Sequence, residues 1–459
     1  MSVVQDASFG FDSRAGHYRV HEINRERNGD DALAEFQTFR AHCGICHRRQ
    51  NSAVRHRIQI RVSGVGQKFQ MNFVAVDNFN FQEVYYRVFV AKFYDLFACR
   101  FMQNVHPFGN EFYHTRRKIQ SRRVKNFSGG ILMINVAVLG TGKIIPEAVG
   151  AMQASKKFRV ANIWAREHSR DKAAALAEKF GIEKFTTNLD DIANDSTIDF
   201  VYVGLINAVH HEYAKKFLDA GKNVIVEKPF TVSVAQAQDL IDTARSKKLF
   251  LFEAVTTLHL PNFFAIRDAL KQIGDVKVVM CNYSQYSSRY DAYKKKSVAP
   301  AFDPKLYGGA LTDINIYNLN FVVGLFGLPK KFSYAANVGW NGIDTSGVVT
   351  LEYENFLAQC VGAKDSASPC FLSVQGDGGH IFSTSAPNEL TSFELAIRGR
   401  DVQKFSLNKF DHRMVHEFVE FAEIFERGDF ASVERGLETS LNVMTVAERA
   451  AKSAGIVYG

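Results

Sequence analysis

The chain has 459 residues, 46% of them apolar, and a formal charge of +8, a composition that suits a soluble folded protein of two or three domains and excludes a disordered one. No apolar run approaches the roughly 18 to 20 residues a membrane helix needs, and the first ten residues lack the basic start and apolar stretch of an export signal, so a cytoplasmic address without membrane association is expected. Six cysteines cannot staple a chain of this length, and no disulfide framework is expected.

The charge is unevenly placed. Residues 1–132 hold 16 Arg, 4 Lys and 11 acidic residues, whereas 133–459 hold 36 basic against 37 acidic residues. The body of the protein is therefore neutral, and charge gives no argument for nucleic-acid binding. The early segment has only Leu33, Leu96 and Leu132 beside 15 Phe, and no helical or alternating period is held for long. Residues 1–132 read as a non-native or disordered extension, with Met133 as the expected true start. Within it, Cys43-Gly44-Ile45-Cys46-His47 has the spacing used to attach a c-type haem, and Cys43, Cys46, Cys99 with His106 or His114 form a conceivable zinc set. Haem attachment of that kind needs export, no second axial ligand stands out, and the zinc set lacks ligand spacing, so no metal site is expected.

From Ile134 the text changes. The apolar run INVAVL leads into Gly140-Thr141-Gly142-Lys143 and then a helical stretch to Ser155, giving strand, glycine turn and helix. Gly140 permits the tight turn, Gly142 lets backbone approach a pyrophosphate, and the helix N-terminus offers unpaired N–H groups. Ile145 stands where the fingerprint has a third glycine, which leaves an ordinary strand-to-helix turn as the plainer reading of this motif alone. Strand and helix candidates then alternate: FRVANIWA, a helix through Lys172 to Phe180, KFTT, DFVYVGL, a helix through Glu212 to Ala220, NVIVEK, a helix through Gln236 to Lys247, and LFLFEA. This alternation predicts a parallel sheet covered on both faces. After the second strand Arg166, His168 and Arg170 replace the acidic residue of an NAD-specific site, which favours NADP(H) with NAD(H) as the second choice; Glu167 between them, and a solvated helix start, weigh the other way.

Glu227-Lys228-Pro229 ends the fifth strand, and Tyr307-Gly308-Gly309-Ala310-Leu311-Thr312-Asp313-Ile314-Asn315-Ile316-Tyr317 follows about 80 residues later. With GTGKI, Asn207 and His210 after the fourth strand, and FEAVTTLHLPNF from Phe252, these motifs in this order resemble the glucose-fructose oxidoreductase / inositol dehydrogenase / MocA family, in the branch of glucose-fructose oxidoreductase and dihydrodiol dehydrogenase. The resemblance runs from Met133 to about Gly459. It implies that Lys228 lies beside the nicotinamide with Asp313 and Tyr317 facing it, these three being the catalytic residues. The cofactor site it implies comprises Gly140, Thr141, Gly142, Lys143, Ile144, Arg166, Arg170, Gly204, Leu205, Asn207, His210, Glu227 and Lys228. The sequence departs from the family at Ile206, Thr257, Asn315 and Asn318, where Pro, Arg, Gly and Pro are frequent.

The chemistry stands without the family. Oxidising an alcohol carbon needs a hydride acceptor on one side and a base for the hydroxyl proton on the other. Asp313 and Tyr317 are four apart, so a helix sets them on one face. A lysine acting near neutrality must fall by roughly 2 to 3 pKa units from its usual 10.4. We read Tyr317 as the acid/base, Lys228 as the group that tunes it and Asp313 as the residue that orients substrate. The plainer readings are a surface lysine before a turn proline, a half-buried tyrosine, a helix-capping aspartate and a structural His210.

Beyond Glu253 longer alternating runs, KVVMCNYSQY, FSYAANVG, SGVVTLEY and FLAQCVGA, predict an antiparallel sheet with one face covered. The expected architecture is α/β: a doubly wound parallel sheet of the Rossmann type over 133–253, then an α+β domain with a large open, mostly antiparallel sheet over 254–459 for substrate and oligomer contacts. Asn282, Tyr283, Tyr286, Arg289 and Tyr290 are candidates to line the pocket or an interface. The expected function is hydride transfer between NAD(P) and a hydroxyl or carbonyl carbon of a small sugar, polyol or cyclic diol, by a homodimer or homotetramer. The alternatives are a dinucleotide-binding regulator without chemistry and a fused redox protein using the Cys43–His47 motif.

Overall fold

The computed structural model describes residues 133–459 in full, together with the backbone of five strands before them: β1 (Ser8–Asp12), β2 (His17–His21), β3 (Arg40–Gln50), β4 (Ala53–Ser63) and β5 (Phe69–Ala75). The chain divides into two compact units, Met1–Gly129 and Gly130–Gly459. In the first, β1 and β2 pair antiparallel, as do β3, β4 and β5 in a three-stranded sheet. The haem and zinc readings fall on side chains outside the described residues, and so do most of the residues behind the expectation for 1–132.

The second unit opens with a six-stranded parallel sheet: β6 (Ile134–Leu139), β7 (Phe158–Trp164), β8 (Phe185–Thr186), β9 (Phe200–Val203), β10 (Asn223–Glu227) and β11 (Leu251–Ala254), in the order β11-β10-β9-β6-β7-β8. The chain leaves β6 toward β7 and β8, then crosses back to β9, so a crevice opens between β6 and β9 at their C-terminal ends. Val136 to Leu139 and all four residues of β9 are fully buried, as a central strand covered on both faces requires. Helices α1 (Ile144–Ala154), α2 (Arg170–Phe180), α3 (His210–Asp219) and α4 (Val234–Lys247) connect the strands. The observed helices α2, α3 and α4 each begin two residues ahead of their expected starts.

Residues 276–405 form an eight-stranded sheet in the order β13-β14-β15-β12-β16-β17-β18-β19, built from β12 (Val276–Ser284), β13 (Lys331–Val338), β14 (Asp344–Glu352), β15 (Leu357–Ala363), β16 (Phe371–Gly376), β17 (Gly379–Ser383), β18 (Phe393–Ile397) and β19 (Gln403–Phe405). Every pair is antiparallel except β12 with β15. That one parallel pair brings the ends of both strands, Ser284 and Ala363, side by side. One face packs on α5 (Pro261–Ala269), α6 (Ile316–Phe326) and α8 (Phe430–Ser453) through Ile266, Leu319, Val322, Val446 and Ala450.

The other C-terminal helix does not stay with the second sheet. Helix α7 (Met414–Arg427) carries Phe418, Phe421 and Phe425 at helical spacing, so the three rings share a face. That face meets the parallel sheet: Phe418 lies 5.8 Å from Phe158, Phe425 5.0 Å from Phe200 and Phe421 4.4 Å from Phe252, between ring centroids. Burying a ring of this size contributes about 2 to 3 kcal/mol, so α7 is part of the dinucleotide half's core although it lies at the far end of the chain. Gly428, at φ +65°, ends α7 in the left-handed conformation, and the Asp429 carboxylate accepts from the Ser432 N–H at 3.1 Å to start α8.

One buried acid in this layer gives a stability test. Glu253, at the end of β11, is 6% exposed with Oε2 unpartnered, and burial pushes its carboxyl up to about 7. A carboxyl with a raised folded-state pKa costs nothing below the unfolded value and destabilises as pH climbs through the folded one. Glu253→Gln should therefore gain stability over wild type between pH 5 and pH 8, by up to about 3 kcal/mol. Thermal unfolding across that range checks it, and parallel pH curves for the two proteins would refute it.

Candidate active site

The glycine turn has the form a dinucleotide needs. Gly140 adopts φ +120°, and a Cβ there would meet the Gly204 carbonyl at 2.7 Å, so only glycine fits. A Cβ on Gly142 meets no atom of the protein within 4 Å. The space it would fill is the cleft itself, where a pyrophosphate would pass against backbone N–H groups at the start of α1. Ile145, the departure from the fingerprint, is fully buried, and a Cβ on Gly204 would lie 2.5 Å from its Cδ1. The glycine displaced from α1 is thus supplied by the end of β9, and strand and helix still approach closely.

A cavity of about 440 Å³ runs over these strand ends, lined by Gly140, Thr141, Gly142, Lys143 and Ile144 along the turn and by Gly204, Leu205, Ile206 and Asn207 after β9. Trp164, Arg166, His168 and Ser169 line it after β7, and Arg289, Ala301, Gly308 and Asp313 face it from the second half. Asn207 joins the two walls, its Nδ2 donating to the Tyr307 carbonyl at 2.9 Å.

Four residues of the expected cofactor set, Arg170, His210, Glu227 and Lys228, are not among those that line this cavity. Arg170 is exposed and pairs with Glu167 at 3.6 Å; the Glu167 carboxyl is held below its usual range by a bond to Thr187 and by Arg170. His210 is fully buried, with Nδ1 2.9 Å from the Pro229 carbonyl and Nε2 3.1 Å from the Leu205 carbonyl. Burial holds its imidazole below its usual value, and it ties the loop after β9 to the loop after β10. Glu227 points into the core, where it accepts from the Tyr202 hydroxyl and from the Lys228 N–H at 3.2 Å.

Lys228, Asp313 and Tyr317 come together. The Lys228 ammonium donates to the Asp313 carbonyl at 2.9 Å, lies 3.3 Å from its Oδ1 and sits 4.8 Å from the centre of the Tyr317 ring. The expected regular helix is instead a widened π turn over Leu311–Asn315 that passes into α6, so the Asp313 carbonyl is free to take the lysine. Asp344 holds the start of this turn, its Oδ2 accepting from the Leu311 N–H at 2.6 Å and the Tyr334 hydroxyl at 2.7 Å. The family departures Asn315 and Asn318 are buried and donate to the Cys360 and Val361 carbonyls at 2.9 and 2.8 Å, which anchors the turn on β15.

Electrostatics revises one expectation. Burial pushes the Lys228 amine down, but Tyr317, Asp313 and Glu227 outweigh it and hold the amine above its ordinary value. The anticipated fall toward neutrality is absent, and Lys228 is an ammonium. Burial pushes Asp313 up, and Lys364 and Lys228 more than reverse this, leaving a carboxylate well below its usual range. Burial raises the Tyr317 phenol, with Lys228 opposing. Of the other candidates, Tyr283 packs 6.0 Å from the Tyr317 ring, Asn282 donates to Ser368 and Pro369, Tyr286 and Tyr290 pack on each other, and Arg289 lines the cleft.

Sequence reasoning missed three groups here, two of them buried and one half-buried. Lys364 pairs with Asp313, Arg413 pairs with Glu147 at 3.2 Å, and Glu417 is fully buried with both carboxylate oxygens unpartnered. Only the chain fold brings them near: Lys364 follows a sheet strand, and the other two come from the C-terminal part that returns to the first sheet.

A dinucleotide cleft over a parallel sheet, with an ammonium, a carboxylate and a phenol gathered at one end, defines a nicotinamide-dependent oxidoreductase. Residues 134–255 match the family described as "Oxidoreductase family, NAD-binding Rossmann fold", and 265–382 match the GFO/IDH/MocA C-terminal domain. The chain belongs to this Gfo/Idh/MocA family. It is 31% identical over 326 residues to the scyllo-inositol 2-dehydrogenase (NADP(+)) of Bacillus subtilis, covering 71% of this chain and 98% of that protein. It is 34% identical over 222 residues to the trans-1,2-dihydrobenzene-1,2-diol dehydrogenase of Xenopus tropicalis, covering 47% and 64%. A 3-ketoreductase from Actinomadura kijaniata, solved with NADP and TDP-benzene, shares the fold with a TM-score of 0.63 at 22% identity, covering 72% of this chain and all of that one. These relatives are named as dehydrogenases and reductases and give no support to the reading as a regulator without chemistry. No helix among the described residues is long and apolar enough to cross a membrane.

Proposed function

We propose that this chain is an NADP(H)-linked dehydrogenase or reductase whose substrate is a sugar, polyol or cyclic diol. The observation that carries the reading is the convergence of Lys228, Asp313 and Tyr317 beside a glycine turn with room for a pyrophosphate. Hydride acceptance or donation is what the nicotinamide supplies when bound. The protein's own part is to move one proton through the Tyr317 hydroxyl, to stabilise the substrate oxygen with the Lys228 ammonium, and to accept a neighbouring hydroxyl at the Asp313 carboxylate. A substrate with two adjacent hydroxyls answers both groups, which accords with an inositol and a dihydrodiol as the named substrates of two relatives.

In this reading 133–253 bind the dinucleotide, 254–459 hold the substrate, with α7 returned to the first sheet, and 1–132 take no part. A cytoplasmic location and a homodimer or homotetramer belong to the same proposal. Preference for NADP(H) rests on Arg166, which lines the cleft after β7 while Glu167 is engaged by Thr187 and Arg170. Fluorescence titration with NADPH and NADH, followed by a sugar, polyol and diol screen, tests the whole. Arg166→Ala should weaken NADPH by about tenfold, the worth of one charge-assisted bond, and leave NADH nearly unchanged. Tighter binding of NADH than NADPH by wild type, with a neutral Arg166→Ala, would reverse the cofactor assignment.

A further inference from the structure

Lys364 stands directly after β15, at the point where the parallel β12 and β15 end together. Its backbone is held from both sides: the Ser287 N–H donates to its carbonyl at 2.9 Å and its own N–H donates to the Thr345 carbonyl at 2.9 Å. The side chain is 3% exposed. Its ammonium lies 2.7 Å from Asp313 Oδ2, donates to the Ala301 carbonyl at 2.6 Å and sits 4.4 Å from the centre of the buried Phe302 ring. A charge this deeply desolvated persists only when paired and hydrogen-bonded, and Lys364 has an anion, a carbonyl and a ring face. Lys228 takes the other carboxylate oxygen. Asp313 is therefore clasped between two ammonium groups, one from each half of the enzyme, and among the described residues it is the one carboxylate lining the cleft.

We propose that Lys364 is a positioning residue for the reaction, acting through Asp313: it pins the carboxylate in the orientation that meets Lys228 and keeps it ionised throughout the working range, so that Asp313 accepts a substrate hydroxyl and never takes its proton. The proposal rests on the oxidoreductase reading above. One lysine would leave Asp313 with a neutralised pair and a free oxygen able to swing. The second cation fixes both oxygens and leaves the trio with one net positive charge beside Tyr317, which favours the phenolate needed for alcohol oxidation. The same ammonium holds Ala301, which lines the cleft, so the far wall and the carboxylate are set by one group.

The groups that face Asp313 are Lys228 from the end of β10, Lys364 from the end of β15 and Tyr317 one helical turn on, with Arg289 on the same cleft wall. Lys364→Met removes one of the two cations that keep the carboxyl ionised. Steady-state kinetics of carbonyl reduction from pH 4.5 to 9 should show kcat lowered about 10- to 100-fold and a new acid limb, activity falling as pH drops, that wild type lacks in this direction. NADPH affinity by fluorescence should stay within about twofold, and Lys364→Arg should restore most of kcat and abolish the limb. Should Lys364→Met fail to fold by thermal melt, Lys364→Gln, which keeps a donor for Ala301, carries the same expectation. A folded variant with wild-type kcat, or with kcat lowered equally at every pH, overturns the proposal. Wild-type protein that neither binds NADPH nor turns over any polyol overturns instead the reading beneath it.

Discussion

Lys228→Ala should lower kcat by about three orders of magnitude, close to 4 kcal/mol of transition-state stabilisation, while the protein still folds and binds NADPH. The lysine sits at the C-terminal end of β10, followed by a cis peptide bond to Pro229, and it is the only described side chain that touches both Asp313 and the Tyr317 ring. Being an ammonium, it donates to whichever oxygen bears charge as hydride leaves or arrives, a contribution largest in a water-poor site. Its removal also deprives Tyr317 of the charge that opposes burial, so the remaining phenol ionises less readily. Lys228→Arg should recover little, because a planar fork cannot replace a point charge in the narrow gap between a carbonyl, a carboxylate and a ring. Pre-steady-state and steady-state assays with NADPH titration check this. A variant within tenfold of wild type would remove Lys228 from the chemistry.

Much of this site was legible in the residues because its parts are local. The run INVAVL before Gly140 has the continuous apolar character of a doubly covered strand, and the strand–helix alternation after it has a period that packing does not overrule. Lys228, Asp313 and Tyr317 sit in short motifs whose positions follow from the ends of elements. What escaped is what depends on distant chain: Lys364 meets Asp313 only because β12 and β15 pair parallel, and Arg413 and Glu417 lie on or beside a C-terminal helix that returns to the first sheet. His210 and Glu227 show the opposite case. Both stand at the mouth of the crevice in sequence, yet the His210 ring lies between two backbone carbonyls, to one of which its single N–H donates, and Glu227 faces the Tyr202 hydroxyl, so both side chains are turned to the protein. The direction of a side chain at a strand end is a matter of pleat and packing, which spacing alone leaves open. The same holds for charge: Glu227, Asp313 and Tyr317 were all in view as neighbours of Lys228, but only the folded distances show that together they outweigh burial and hold its amine above the ordinary value.

Tyr317→Phe should lower kcat by about 100- to 1,000-fold in both directions and, more tellingly, change the shape of the pH profile for alcohol oxidation. Burial raises the phenol above its ordinary value and Lys228 only partly reverses this, so near neutrality Tyr317 is protonated. Oxidation needs the phenolate to receive the hydroxyl proton. Its rate in wild type should therefore climb by about tenfold per pH unit through the alkaline range, until chemistry ceases to limit turnover. Carbonyl reduction uses the protonated phenol as donor and should stay level across neutral pH, falling only where Tyr317 ionises. Phenylalanine has no proton to give or take, so the alkaline climb should disappear with it, while NADPH binding and thermal stability are kept. Phenylalanine retains the ring face that Lys228 meets at 4.8 Å, which separates loss of the hydroxyl from loss of packing. An oxidation profile in Tyr317→Phe that still climbs as wild type does would assign the proton to another group, and the phenol would then be no more than the ring on which the ammonium rests.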